Sequence, residues 1–197
     1  MTMRVGRRGM TIMEIMVVVT IFMVLSGAVM AVSIVGKKAF VSAESSVYLR
    51  QQARQALDAA VQELRQAGGT LSPVTCAGST CTFQVNLGFN LPAPCPANAA
   101  CMGAQDANGA AQVNWSVRYR LNGTQMVRDV LDASVPAVVQ SSRVLANNIS
   151  QLTFTYTGGA TKTVRIQLQT QEVSGQLAGG TMQANATPLV TAVKLRN

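Results

Sequence analysis

The chain has no histidine in its 197 residues. That removes Ser-His-Asp and Cys-His nucleophile systems, and most zinc-enzyme ligand sets, together. Carboxylates are scarce: 8 Asp and Glu stand against 16 Lys and Arg. They are dispersed, so paired-carboxylate chemistry has no candidates. No Walker loop, dinucleotide-binding glycine motif or EF-hand loop is present. No catalytic residue, cofactor or metal ligand follows, and the chain does not read as an enzyme. The basic residues are scattered too, with no run and no stripe carrying aromatics. The formal charge of +8 therefore speaks for solubility and weak attraction to polyanions, and nucleic acid is not an expected partner. Residues 15–35 carry no charge at all.

What fills that gap is a continuous apolar run. It reaches the roughly 20 residues an α-helix needs to cross about 30 Å of hydrocarbon. Arg4, Arg7 and Arg8 precede it, and Lys37 and Lys38 follow closely. Orientation is thus weakly coded, with the positive-inside rule mildly favouring a cytoplasmic N-terminus. A secretory signal peptide shares this plan, and Ala31-Val32-Ser33 would serve as its cut. The run is too long for that, and Glu14 sits inside it. No cysteine lies near enough for lipidation. A plain signal anchor is the second ordinary reading. Glu14 is the one ionisable residue between Gly9 and Val35. A carboxylate at membrane depth is costly, so its partner should be sought. Thr11 and Glu14 also have capping-box spacing, in which each side chain satisfies a free N–H at a helix start.

The junction Gly9-Met10-Thr11-Ile12-Met13-Glu14 resembles the class III leader of type IV pilins and pseudopilins. The match comprises a basic leader, a glycine before the cut, a glutamate at the fifth mature position and an uncharged run. Met10 stands where the family more often has Phe. The resemblance implies cleavage after Gly9 by a prepilin peptidase, methylation of Met10, and Glu14 as an assembly residue. In the family this glutamate meets the N-terminal ammonium of a neighbouring subunit, as a desolvated ion requires. Here Glu14 would meet a neighbour's N-terminus, or a neighbour's glutamate would meet the Met10 ammonium. Residues 1–9 then form the leader. Residues 10–36 form a transmembrane or filament-core half-helix, with Met10 and Val35 bounding the span.

Residues 37–67 continue as an amphipathic half-helix. Leu49, Ala53, Leu57, Ala60, Val61 and Leu64 recur at three- and four-residue spacing. Arg50, Arg54, Asp58, Glu63 and Arg65 lie mostly off that face. Gly68-Gly69 stops it. The whole helix would measure about 87 Å at about 1.5 Å per residue. The proline that many pilins carry near here is missing, and Gly27 is the one weak point, at about 1 kcal/mol.

Residues 70–197 read as a globular antiparallel sheet domain. Cys81, Phe83, Val85, Leu87, Phe89 and Leu91 alternate with polar or small residues, as one strand. Val113, Trp115, Val117, Tyr119 and Leu121 do the same and end at Asn122-Gly123, a strong hairpin signal. The return strand is 125–131. Leu152, Phe154 and Tyr156 lead to a Gly158-Gly159 turn and back through Val164, Ile166 and Leu168. A Gly/Ala-rich loop at 174–187 precedes a last strand at 189–195. One packed face and one wet face suit antiparallel sheets, with the amphipathic helix as cover. The fold class is therefore α+β: a long N-terminal helix packed on antiparallel sheet.

Cys76, Cys81, Cys95 and Cys101 lie in Pro/Gly/Ala-rich surroundings, as loop or loop-edge residues. The leader exports them to an oxidising compartment, which favours disulfides. Four cysteines allow three pairings, and proximity favours Cys76–Cys81 with Cys95–Cys101. A four-thiolate zinc site is the alternative, but the spacing does not give paired C-x2-C knuckles. Residues 91–112 read as a long surface loop suited to binding a partner.

Three stretches extend the resemblance: Trp115-Ser-Val-Arg-Tyr119-Arg-Leu121, Leu152-x-Phe-x-Tyr156, and the terminal Val193-Lys-Leu-Arg-Asn197. They look like PilW-type minor pilins and the related J-type pseudopilins of type II secretion. This implies a minor pilin near the filament tip, helping to initiate and cap a type IV pilus. Its partners would be other minor pilins, the major pilin, a PilY-type tip adhesin and the prepilin peptidase. It would sit in the bacterial inner membrane, then reach the periplasm and the pilus tip at the cell surface. A J-type pseudopilin and a membrane-anchored adhesin or ligand-binding module remain the alternatives.

Overall fold

The computed structural model describes residues 11–67, 74–89, 95, 99–158, 162–171 and 187–195. Gly9, Met10, Gly68, Gly69, Gly159 and most of 174–187 lie outside them. The chain divides into two compact units, Met1–Glu44 and Ser45–Asn197. One long apolar N-terminal helix and antiparallel sheets make it α+β.

Helix α1 runs from Ile12 to Gln66 without a break, passing through Gly27 and Gly36. Within the second unit its buried positions are Leu49, Ala53, Ala56, Leu57, Ala60 and Leu64, and Ala67 just past its end is buried too. Their spacing keeps one stripe facing inward. Val61 is only half-buried, and Ala56 takes the more central place. The small alanines let the backbone approach the sheet while Leu57 and Leu64 fill the core.

Among the described residues eleven strands follow: β1 Thr75–Ala77, β2 Thr80–Phe83, β3 Val85–Phe89, β4 Ala100–Gln105, β5 Ala111–Val113, β6 Ser116–Asn122, β7 Gln125–Leu131, β8 Val139–Ala146, β9 Ile149–Thr157, β10 Thr163–Thr170 and β11 Leu189–Lys194. They form three antiparallel sheets, ordered β1-β2-β6-β7-β8, β3-β4-β5 and β11-β10-β9. The Asn122-Gly123 turn sets the β6–β7 register, pairing Asn122 with Gln125, Tyr119 with Arg128 and Val117 with Val130. Gly123 supplies the positive φ (59°) such a turn needs. Phe83, Val117, Tyr119, Met126 and Val130 join the helix stripe and Phe154, Val164, Ile166, Leu168 and Val193 in one core. Phe83 and Tyr119 stack with ring centroids 5.9 Å apart.

Four expectations are corrected. The alternating run expected from Cys81 to Leu91 is, over its described residues to Phe89, two strands, β2 and β3, in different sheets. The run from Val113 to Leu121 likewise divides into β5 and β6. Both segments bend at neighbouring points: the Gln84 amide donates to Asn114 O at 2.9 Å, and Asn114 takes a positive φ (64°). Alternation persists across Gln84 because Phe83 and Val85 are both buried, so periodicity does not reveal the change of sheet. Residues 91–112 are not one loop, because β4 occupies 100–105 and the start of β5 occupies 111–112. In β4, a Cβ on Gly103 would collide with the carbonyl oxygen of Gln112. Glycine at 103 is what lets β5 close on β4. Finally, Cys76 and Cys101 lie on strands β1 and β4 rather than in loops, and Cys81 lies on β2, as its place in the alternating run implies.

Candidate functional site: an exposed apolar helix and its anchored domain

Among the described residues, the largest feature left without protein packing is the first stretch of α1. Its most apolar window is wholly unburied, and among the described residues it is the one helix long and apolar enough to span a membrane. Exposed apolar side chains run from Ile12 (81% exposed) to Val47 and Tyr48 (64% each). They point in every direction around the helix, as apolar surroundings on all sides would require.

At its start, Thr11 Oγ1 accepts from the Glu14 N–H at 3.3 Å, and Thr11 O accepts from the same N–H at 3.0 Å. Thr11 is thus the helix cap, and Glu14 lies in the first turn. A carboxylate there is favourably placed against the helix dipole. Gly9 and Met10, the processing and methylation candidates, lie outside the described residues.

The second unit is held to its helical segment by a polar group the sequence did not disclose. Glu63 on α1 accepts from Tyr119 Oη at 2.8 Å and from Arg128 Nε at 2.9 and 3.1 Å. Tyr119 and Arg128 are direct cross-strand partners on β6 and β7. Burial, then the Glu63 charge and hydrogen bond, raises the Tyr119 pKa well above the ordinary tyrosine range. Tyr119 therefore stays a neutral donor to Glu63.

On the opposite face of that hairpin, Asp129 is fully buried. Its Oδ2 accepts from Arg118 Nη2 at 2.7 Å, Arg118 Nε at 3.1 Å and Arg120 Nε at 2.6 Å, and its Oδ1 from Ser142 Oγ at 2.6 Å. Burial opposes its ionisation, but the bonds from Arg120, Ser142 and Arg118 outweigh it, and its pKa is lowered. The hairpin register offered this signal: with Asn122 opposite Gln125, Arg118 must face Asp129. Glu63 offered none, since 56 and 65 residues separate it from its two partners.

Two further carboxylates organise turns. Asp106 accepts from the N–H groups of Asn108 and Ala110 and from the Gln112 amide, which hold its pKa down. Asp132 accepts from the Ser134 hydroxyl and the Val138 N–H, and its pKa falls to about 2. Both are turn-building aspartates, bonding backbone a few residues on.

Disulfides join Cys76 to Cys81 and Cys95 to Cys101. The first ties directly opposite residues of β1 and β2. The second fixes Cys95 to β4. With all four sulfurs oxidised in pairs, no thiolate is left to hold zinc.

Compared with known proteins, the chain matches no protein-family model, no curated protein and no solved structure.

Proposed function

We propose that the protein is a minor pilin: a structural subunit, not an enzyme, that helps initiate and cap a type IV pilus. The observation that carries this reading is the division of α1. One unbroken helix leaves its apolar first stretch bare and buries only the stripe from Leu49 onward. A helix made this way suits lipid before assembly and a bundle of like helices afterwards. The class III leader resemblance at Gly9, Met10 and Glu14 adds the means of transfer. The prepilin peptidase cuts after Gly9, and Glu14 meets a neighbour's ammonium. The sheet domain faces the periplasm and then other minor pilins, the major pilin and a PilY-type adhesin. A J-type pseudopilin shares leader and architecture and is the second reading. A membrane-anchored adhesin or ligand-binding module is the third.

Glu14→Gln tests the assembly role. Glutamine also serves in a capping box, so expression, membrane insertion and the sheet domain should be unchanged. The amide cannot offset a desolvated ammonium, a penalty of several kcal/mol. Recovery in sheared pili should therefore fall at matched expression. Equal recovery of both proteins would leave Glu14 as a cap alone.

A further inference from the structure

The free edge of β8 points to a second interaction surface. β8 closes the five-stranded sheet, and among the described residues no strand pairs with its outer side. Its neighbour β7 is mostly buried, whereas five of the eight β8 residues are exposed, so β8 adds little to the core. Val139 (42% exposed) and Val144 (46%) stand on it, beside exposed Val135 and Val138 in the preceding loop. An edge with apolar side chains and unpaired backbone groups is a template for an added strand.

Charge selects the occupant. Arg143, exposed in the middle of β8, is the direct cross-strand partner of Arg128. Like charges placed so are unfavourable. Among the described residues, Glu63 on that face is bonded to Arg128 and Tyr119. Among the described residues Arg143 has no ion pair. Asp106, Asp129 and Asp132 are likewise held within their own turns and networks. An antiparallel pair of two β8 strands centred on Arg143, in the middle of the strand, would bring that residue against its own copy, which disfavours self-pairing in that register.

We infer that the β8 edge docks an extended segment of another protein, apolar at alternate positions and carrying a carboxylate opposite Arg143. The inference goes beyond the filament reading and does not rest on it. Its test uses the full-length protein in detergent micelles. The probes are two fluorescent nine-residue peptides of alternating threonine and valine, one with a central glutamate and one with a central lysine. The glutamate peptide should bind about fivefold more tightly or better. Arg143→Glu should reverse the preference, and Arg165→Glu, on β10, should leave it unchanged. Binding by neither peptide, equal binding of both, or a preference that survives Arg143→Glu overturns the inference. So does a protein already dimeric in micelles with β8 protected from hydrogen exchange, because a second copy would then be the occupant.

Discussion

The two stretches of α1 share one backbone and meet opposite surroundings. From Ile12 to Tyr48 apolar side chains stand exposed on every side; from Leu49 to Leu64 six positions are buried in one stripe. Helix geometry is the same in both, so the difference lies in the pattern of apolar residues. A helix apolar all round has no preferred face to offer a protein core and needs an apolar solvent or many like neighbours. A helix with one stripe has a single partner, here the sheet domain's core.

The largest break in that comparison comes from equal deletions in the two stretches. Leu64→Ala removes a fully buried side chain and should lower the domain's unfolding free energy by about 2–5 kcal/mol. Ile21→Ala, in the exposed stretch, should change it by no more than about 0.5 kcal/mol. Urea unfolding of the full chain in micelles, followed by Trp115 fluorescence, measures both. Comparable losses would mean that the first stretch also belongs to the folded core.

Asp129 sharpens the contrast from the sheet side. Asp129→Asn removes a charged acceptor from Arg118, Arg120 and Ser142. It should cost about 1.5–3 kcal/mol. Its folded pKa is depressed. Its contribution is therefore present above the ordinary aspartate value of about 3.9 and is lost as pH falls through the folded value. Unfolding measured from pH 7 down to 2 should show the wild type losing stability more steeply below pH 4 than Asp129→Asn does. Parallel curves would assign the acid sensitivity to other groups, Asp132 among them.

The smallest effect tests the link between helix and sheet. Tyr119→Phe keeps the ring stacked on Phe83 and removes only the hydroxyl donated to Glu63, at about 1 kcal/mol. In the folded wild type, Tyr119 should resist ionisation well above the ordinary tyrosine value of about 10. Ultraviolet titration follows this directly, and the resistant fraction should vanish in Tyr119→Phe.

How much of this was legible in the sequence depended on whether the pattern was local. The helix stripe and β7 were, because spacing at three and four and the Asn122-Gly123 turn act over short distances. β8 was not: Val139-Gln-Ser-Ser-Arg-Val144 does not alternate, since the strand is exposed on both faces. The bends at Gln84 and Asn114 were hidden because burial continues through them. Of the polar groups, Arg118 and Asp129 could have been paired from the hairpin register alone. The Glu63 group depends on how α1 meets the sheet, which no short window encodes.

The central claim is that the exposed stretch is an assembly element released by leader cleavage. N-terminal mass spectrometry of the protein recovered from sheared pili tests it most directly. The account expects a chain beginning at Met10 with a methylated amine. A chain that still begins at Met1, or one cut after Ser33, would contradict it.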